Sequence, residues 1–590
     1  MTQNRTLRVL IGTLGFISIT LIAGTVRAQF TADYQTNVID GVTTNWNRFD
    51  YSFDQLQITN GGVVQSSGGF IGGSPTKMGN SVLVSGTDSV WTNGDLYVAC
   101  SDAFSYVSIS GGAALYNNYG YVGYLVSSSN NVMLVTDPGS IWSNRNDLYF
   151  GYNGSGNSLT ISNGGMVYNY NNNAFLGYWF SGTNTVVVTG TGSIWRNGSL
   201  YVGYQGAGNS LIISNGGAVY STGCWIGWVS DGNTVQLTGT GSVWSSSADL
   251  TLGGNGNSLM INNGGKVYSG DGYIGTEGGS NSVVVSGSGS AWINRGDIHI
   301  SSGNDNAGGN QLTVADSGSV VVASSMFVGY YSGASALTLN GGSVVVASNM
   351  FVGYYSSGTL TLNGGTVTMG GLVAANGVNS VVIFNGGTLI SGGTSVTNGQ
   401  VFAVGDGADA ATFQLSGGVH SFFDNLEIRN NASLTGCGTV TGNVVVDPGG
   451  TVRADCGGTL TFTGIVTNNG TMQAINGSVL EVYGTVVNNG LIDILDGSTN
   501  FHGAFINNGT VLDASSVQIS NIGISGNDVT IQIPSLLGHT YQLQISPTME
   551  SPTWTNCYAS QAGTGGVLTF TDPGGAAYTQ RFYRVDVTAP

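Results

Sequence analysis

The stretch Asn157–Tyr204, NSLTISNGGMVYNYNNNAFLGYWFSGTNTVVVTGTGSIWRNGSLYVGY, decides the architecture. Its apolar runs are short and separated by Gly, Asn and Ser. Leu159 and Ile161 alternate with Ser158, Thr160 and Ser162; Leu200 and Val202 alternate with Ser199 and Tyr201. A period of two marks a strand with one face in a core and the other in water. Spacers such as Asn163-Gly164-Gly165 and Gly190-Thr191-Gly192 suit turns that need positive φ. No run keeps helical spacing.

Repetition chooses among the all-β architectures. Asn60-Gly61-Gly62 returns as Ser110-Gly111-Gly112, Asn163-Gly164-Gly165, Asn215-Gly216-Gly217 and Asn263-Gly264-Gly265, and Ser-x-Trp returns at Trp91, Trp142, Trp195, Trp244 and Trp292. Both recur at roughly fifty residues, a length that also suits a propeller blade. Downstream the period halves, at Asn340-Gly341-Gly342, Asn363-Gly364-Gly365 and Asn385-Gly386-Gly387, then at Asn469-Gly470, Asn489-Gly490 and Asn508-Gly509. A blade cannot be halved without losing strands, whereas a solenoid unit of two three-stranded coils can. The expected fold is a parallel β-helix, about twenty coils at ~4.8 Å each, giving a rod of roughly 100 Å.

Composition points to an exported chain. Arg5 and Arg8, the apolar Val9–Ala23 and the small-residue site Val26-Arg27-Ala28 read as a signal peptide over 1–28, cleaved near Ala28. Glycine is the commonest residue at 98 and charged residues make up only 7%, so Ser, Thr and Asn must solvate the surface. The net charge of −17 argues against nucleic acid or an anionic membrane as partner, and no membrane-spanning segment is expected in the mature chain. The oligomeric state is open.

Along the chain, 29–54 reads as an N-terminal cap that covers an otherwise open strand edge, with Asp33, Tyr34, Trp46, Arg48, Phe49 and Asp50 setting it apart. Long two-coil repeats occupy 55–300 and one-coil repeats 301–400, after an insertion around Asn304-Asp305-Asn306. A third solenoid block fills 401–516. The last segment, 517–590, is richer in proline and reads as a small antiparallel β-sandwich, with strands at Val529–Ile533, Thr540–Ile545, Val567–Thr571 and Arg581–Val587. Cys437 and Cys456 lie one short repeat apart, within disulfide reach on neighbouring coils; a disulfide and two free thiols are both open. Cys100, Cys224 and Cys557 sit at non-equivalent positions of the repeat.

LTISNGG (Leu159–Gly165), VVVTGTGSIW (Val186–Trp195) and SLYVG (Ser199–Gly203) resemble the repeat shared by autotransporter passenger domains and PEP-CTERM-associated proteins. Ala403–Phe422 and the following GCGTVTGNVVVDPGGTV are similar to autotransporter-associated β-strand repeats. The resemblance implies a right-handed β-helix exported from a Gram-negative type of cell. It departs from the family in its tail, which is too short for a membrane barrel and carries no sorting signal.

Glu277, Glu427, Glu481 and Glu550 are scattered, and glycosidase chemistry needs a carboxylate pair. Asp95, Asp147, Asp249 and Asp297 recur, but Ser199 breaks the series and turn capping is the simpler role. His299, His420, His502 and His539 are dispersed and no Cys-x-x-Cys exists, so no metal or cofactor site is expected. Arg295-Gly296-Asp297 falls at an ordinary turn of the repeat. Three outward aromatic columns are the candidate ligand surface: Tyr97, Tyr149 and Tyr201; Tyr152 and Tyr204; and Tyr124, Tyr178 and Trp228. Aromatic faces stack on sugars, though such columns also pack coil on coil. The sequence therefore suggests a secreted or cell-surface repeat protein, structural or adhesive and non-catalytic, with extracellular glycans or cell surfaces as partners; a polysaccharide-degrading β-helix is the alternative.

Overall fold

Each coil lays three short strands end to end and then climbs one rung. In the coil that opens the quoted stretch these are Ser158–Ser162, Met166–Asn169 and Ala174–Leu176. Every one pairs in parallel with its counterpart one coil on: Leu159 faces Val186, Val167 faces Trp195, and Leu176 faces Val202. Parallel pairing between successive coils excludes the antiparallel blades of a propeller. The computed structural model describes residues 35–45, 54–73, 78–169, 171–303, 308–331, 333–513 and 516–588, and shows a β-solenoid of about 18 turns. The fifty-residue unit is thus two coils. The signal-peptide segment, the cap residues from Asp33 to Asp50 singled out above, and Asn304-Asp305-Asn306 lie outside the described residues. Within the expected cap, Thr36–Asp40 and Thr43–Asn45 pair in parallel with Gln55–Thr59 and Val63–Gln65, so this part is already a rung of the solenoid.

The repeated words acquire physical roles. At Asn215-Gly216-Gly217, Asn215 and Gly216 are left-handed (φ 52 and 85), and a Cβ on Gly217 would lie 2.4 Å from the Val188 carbonyl oxygen of the coil below. Two tight dihedrals and a close backbone approach therefore require the motif. The serine of Ser-x-Trp ties this turn to the next coil: Ser242 Oγ accepts from Gly216 N (3.1 Å) and donates to Thr238 O (2.8 Å). Its tryptophan points inward, and all five indoles are fully buried.

A second device had not been visible in the sequence reading. At the start of the first strand of eight successive coils stands a buried asparagine: Asn131, Asn157, Asn184, Asn209, Asn233, Asn257, Asn281 and Asn310. The amide oxygen of each accepts from the backbone N–H of the equivalent residue one coil below, which is Ser105 beneath Asn131 and an asparagine in the other rungs. In most rungs it also accepts from that residue's side-chain amide, as where Asn184 N and Nδ2 both reach Asn209 Oδ1 at 3.0 Å. The glycine that precedes the outward tyrosine makes room for it. Gly177 has φ +78, and a Cβ there would meet Asn209 Nδ2 at 2.2 Å.

Downstream the coil contracts. Ladder asparagines are 27 and 25 residues apart at Asn157–Asn184–Asn209, 23 and 22 apart at Asn340–Asn363–Asn385, and 20 apart at Asn468–Asn488. The lost residues come out of the turns. Ser335–Val352 and Gly358–Ala374 run almost unbroken round the coil, with register shifts at the former corners. Cys437 and Cys456 form a disulfide across adjacent coils, with Cα atoms 6.0 Å apart.

After the last solenoid strand, Thr510–Leu512, two small antiparallel sheets enclose their own core of Val529, Ile531, Ile533, Tyr541, Leu543, Leu568 and Phe570. The strands expected there are present, joined by Asn521–Ser525 and the two-residue Thr555–Asn556 and Gln561–Ala562. This module is tied to the rod by a buried pair. His539 Nε2 lies 2.8 Å from Asp493 Oδ2, with side chains 5% and 1% exposed.

Two outcomes test these ties. Asn209→Ala leaves the Asn184 amides without an acceptor and should cost about 1–3 kcal/mol; removing Asn363 from the exposed ladder should cost under about 0.5 kcal/mol. Urea midpoints and exchange of the Asn184 amide measure both, and equal losses would dismiss the buried ladder. His539→Ala strands Asp493 and should cost about 3 kcal/mol at the junction. Proteolysis between Leu512 and Asn521 should then quicken while the solenoid's circular dichroism persists.

Candidate functional site

The third strands carry the aromatic residues singled out in the sequence, arranged as two columns instead of three. Phe70, Tyr97, Tyr121, Tyr149, Phe175, Tyr201 and Trp225 stack ring on ring at 4.6–5.1 Å. Beside them Tyr124, Tyr152, Tyr178, Tyr204 and Trp228 form one further stack, at 5.0–6.3 Å. The expected second and third columns are one column, because the aromatic recurs in every coil while the sequence comparison had matched alternate coils. The two stacks meet edge to face, as at Tyr149 and Tyr152 (5.3 Å, 83°).

This geometry decides what the columns can do. A sugar stacks on a free ring face, and here each internal face is covered by the ring of the next coil. Burial and the neighbouring Asp147 carboxylate, which accepts from its hydroxyl at 3.1 Å, hold the Tyr149 phenol far above its ordinary range. The columns are a stabilising ladder. A later segment of the first column, Tyr273–His299–Phe327–Phe351, includes an imidazole as one of its rings.

The recurring aspartates are likewise occupied. Asp147 Oδ1 accepts from Asn173 N at 2.8 Å, Asp249 Oδ1 from Asp271 N at 2.9 Å and Asp297 Oδ1 from Ser325 N at 2.8 Å, each one coil on. In Arg295-Gly296-Asp297 the guanidinium donates to the Ser269 and Ser246 carbonyls and the carboxylate accepts from Ser325 N, so both charged side chains bridge coils. The buried Cys224 thiol is pushed up to about 12 by desolvation, and Cys557, beside Asp572, to about 11; neither is a ready nucleophile at neutral pH. Among the described residues no group of three His, Cys, Asp or Glu could hold a metal ion.

Rings with no aromatic neighbour on the next coil lie on the second strands. Tyr116, Ser143, Tyr168, Arg196, Tyr220, Ser245 and Tyr268 follow one another in strict register. A tyrosine therefore comes every second coil, about 10 Å from the next. Serine or arginine fills the rung between, so these rings are not stacked on each other. The sequence signal was the tyrosine three residues after the last glycine of the turn, as in Gly165-Met166-Val167-Tyr168, repeated at Tyr220 and Tyr268.

Two clefts open along this column, at the turn between the second and third strands. The larger, about 590 Å³, is bordered by Tyr168, Arg196, Asn197 and Tyr220; the other, about 570 Å³, by Asn93, Tyr116, Asn117 and Arg145. Both fall within the range of small-ligand sites. Asn197 is 7% exposed and neither amide atom has a partner, and Asn93 Nδ2 is also unpartnered. Buried amides without partners are costly and rare in folded chains. Arg196 lies over the Tyr220 ring at 5.0 Å. No protein-family model matches the chain, and a search of curated proteins returns no match either.

The buried histidines give the rod a pH response. Desolvation lowers His299 and His420 below the ordinary 6.5. His420 Nε2 donates to the Gly417 carbonyl at 2.8 Å, which leaves Nδ1 to accept from Thr394 at 2.9 Å. Each ring takes up a proton near pH 6.5 when unfolded and resists it when folded. Their contribution is therefore complete above about pH 6.5, falls as pH drops, and levels off below the folded pKa. Denaturation midpoints between pH 7.5 and 5 should show a shallower acid loss in His420→Gln than in the parent; equal slopes would remove His420 from the response.

Proposed function

We propose that this chain is a secreted or cell-surface rod with a structural and adhesive role, which holds extended glycans along its second-strand face without altering them. The observation that carries this reading is the column Tyr116–Tyr168–Tyr220–Tyr268, whose rings do not stack on one another and of which the first three border clefts lined by amides and hydroxyls. Ring faces and amides are what a polyhydroxylated chain needs, the one for its C–H faces and the other for its hydroxyls. An extended polysaccharide lying along the rod would meet an equivalent platform at each two-coil step. The exported, repeat-protein character is in keeping with the resemblance to autotransporter-associated repeats.

Calorimetric titration against linear polysaccharides, with the same samples assayed for new reducing or unsaturated ends, tests this reading. Saturable binding with intact polymer is expected, and Tyr220→Ala should weaken it roughly three- to ten-fold with circular dichroism unchanged. Tyr149→Ala should instead lower stability. Appearance of new ends would turn the reading towards the polysaccharide-degrading alternative.

A further inference from the structure

Positive charge in the long-repeat block is placed on one side of the rod. Its described cations are Arg145, Arg196, Lys266 and Arg295, and all four stand on the second strands or the turn that follows them. The whole chain has 30 acidic and 13 basic residues, so this is a departure from its general character. The two clefts divide these residues further. Arg295 is spent on main-chain carbonyls of two neighbouring coils. Arg145 and Arg196 are bound to no carboxylate among the described residues, and each stands at the edge of one cleft. Neither cleft is lined by an Asp or Glu. The recurring aspartates of the repeat are themselves hydrogen-bonded: Asp147 to Asn173 N and the Tyr149 hydroxyl, Asp249 to Asp271 N.

Each cleft therefore offers one guanidinium without a carboxylate partner, which in the larger cleft lies over the Tyr220 ring, together with tyrosine at its border and at least one buried amide with unused hydrogen-bonding capacity. We propose that the two clefts select an acidic polysaccharide, each arginine taking one anionic group of the chain while the tyrosine and asparagine take the sugar ring that bears it. A guanidinium fork matches the two oxygens of a carboxylate. The Asn197 amide can give and accept one hydrogen bond each, which suits adjacent hydroxyls. Arg145 and Arg196 stand two coils apart, so the anionic groups engaged would be about 10 Å apart, the spacing of alternate units in an extended chain. The negative charge of the rest of the rod would oppose a polyanion elsewhere, and so confine it to this face.

This inference rests on the glycan-binding reading above, and the experiment separates the two. The full-length protein is titrated with polygalacturonate oligomers, with their methyl-esterified neutral form, and with a sulfated linear glycan. Selection predicts that the acid binds at least about ten-fold tighter than the ester, with a preference that shrinks as salt rises. In Arg196→Gln, and more so in the double variant with Arg145→Gln, that preference should fall by about ten-fold with circular dichroism intact. Tyr220→Ala should weaken acid and ester alike. A sulfated glycan competing with the acid supports recognition of anionic groups in general; its failure to compete supports a carboxylate in particular. Equal binding of acid and ester, or an unchanged preference in the arginine variants, overturns the selection while leaving glycan binding in place. Absence of binding to all three overturns both.

Discussion

The constraint on which the rod depends is the asparagine placed just before each first strand. It sits where the chain closes one coil and starts the next, in a corner without solvent, where the backbone N–H would otherwise be orphaned. By accepting from the coil below and being accepted by the coil above, each amide fixes the rise and the lateral register together. Other features of the corner follow. The glycine before the outward tyrosine must lack a Cβ because the amide occupies that space, and its left-handed dihedral turns the next residue outward. That next residue is the aromatic of the second stack. One polar ladder inside thus sets the position of one aromatic ladder outside.

A stack of this kind is at once surface and core. Rings 4.6–5.1 Å apart leave no room for a ligand ring, and edge-to-face contact with the second column closes the flank. The most conspicuous aromatic feature of the molecule is therefore spent on cohesion. Recognition is open only where stacking is interrupted, and on the second strands the interruption is periodic.

The parallel solenoid, the two-coil nature of the long unit and the antiparallel tail were legible in the sequence, because period two, turn glycines and repeat spacing are local signals. The Asn ladder was not read, although the words Asn-Ser-Leu and Asn-Thr-Val were present. An asparagine beside glycine reads as an exposed turn residue, and burial with an amide partner one coil away is a non-local fact. The aromatic columns were read from matching halves of the long unit. That hid Tyr121, Phe175 and Trp225 and divided one column into two. Tyr168 and Tyr220 were passed over because they follow valine in an ordinary strand pattern. Only the register shows that serine or arginine separates them.

The two-coil unit itself has a packing cause. The inward position on the second strand alternates between a large and a smaller side chain: Leu115, Trp142, Val167, Trp195, Val219, Trp244, Val267, Trp292. Rungs are about 4.8 Å apart, so an indole occupies space above its own rung and a smaller neighbour must accommodate it. The outward residue next in sequence alternates in the opposite phase, with tyrosine on the coils that lack tryptophan. Internal volume thereby dictates external spacing, and the platforms fall about 10 Å apart instead of stacking shut at every rung. Where the tryptophans stop, after Trp292, the inward positions become Val320, Val344 and Val367 and the outward ones Val321, Val345 and Thr368. The column of second-strand tyrosines ends there as well. The clefts belong to the tryptophan-bearing part of the rod because the packing that spaces them exists only there.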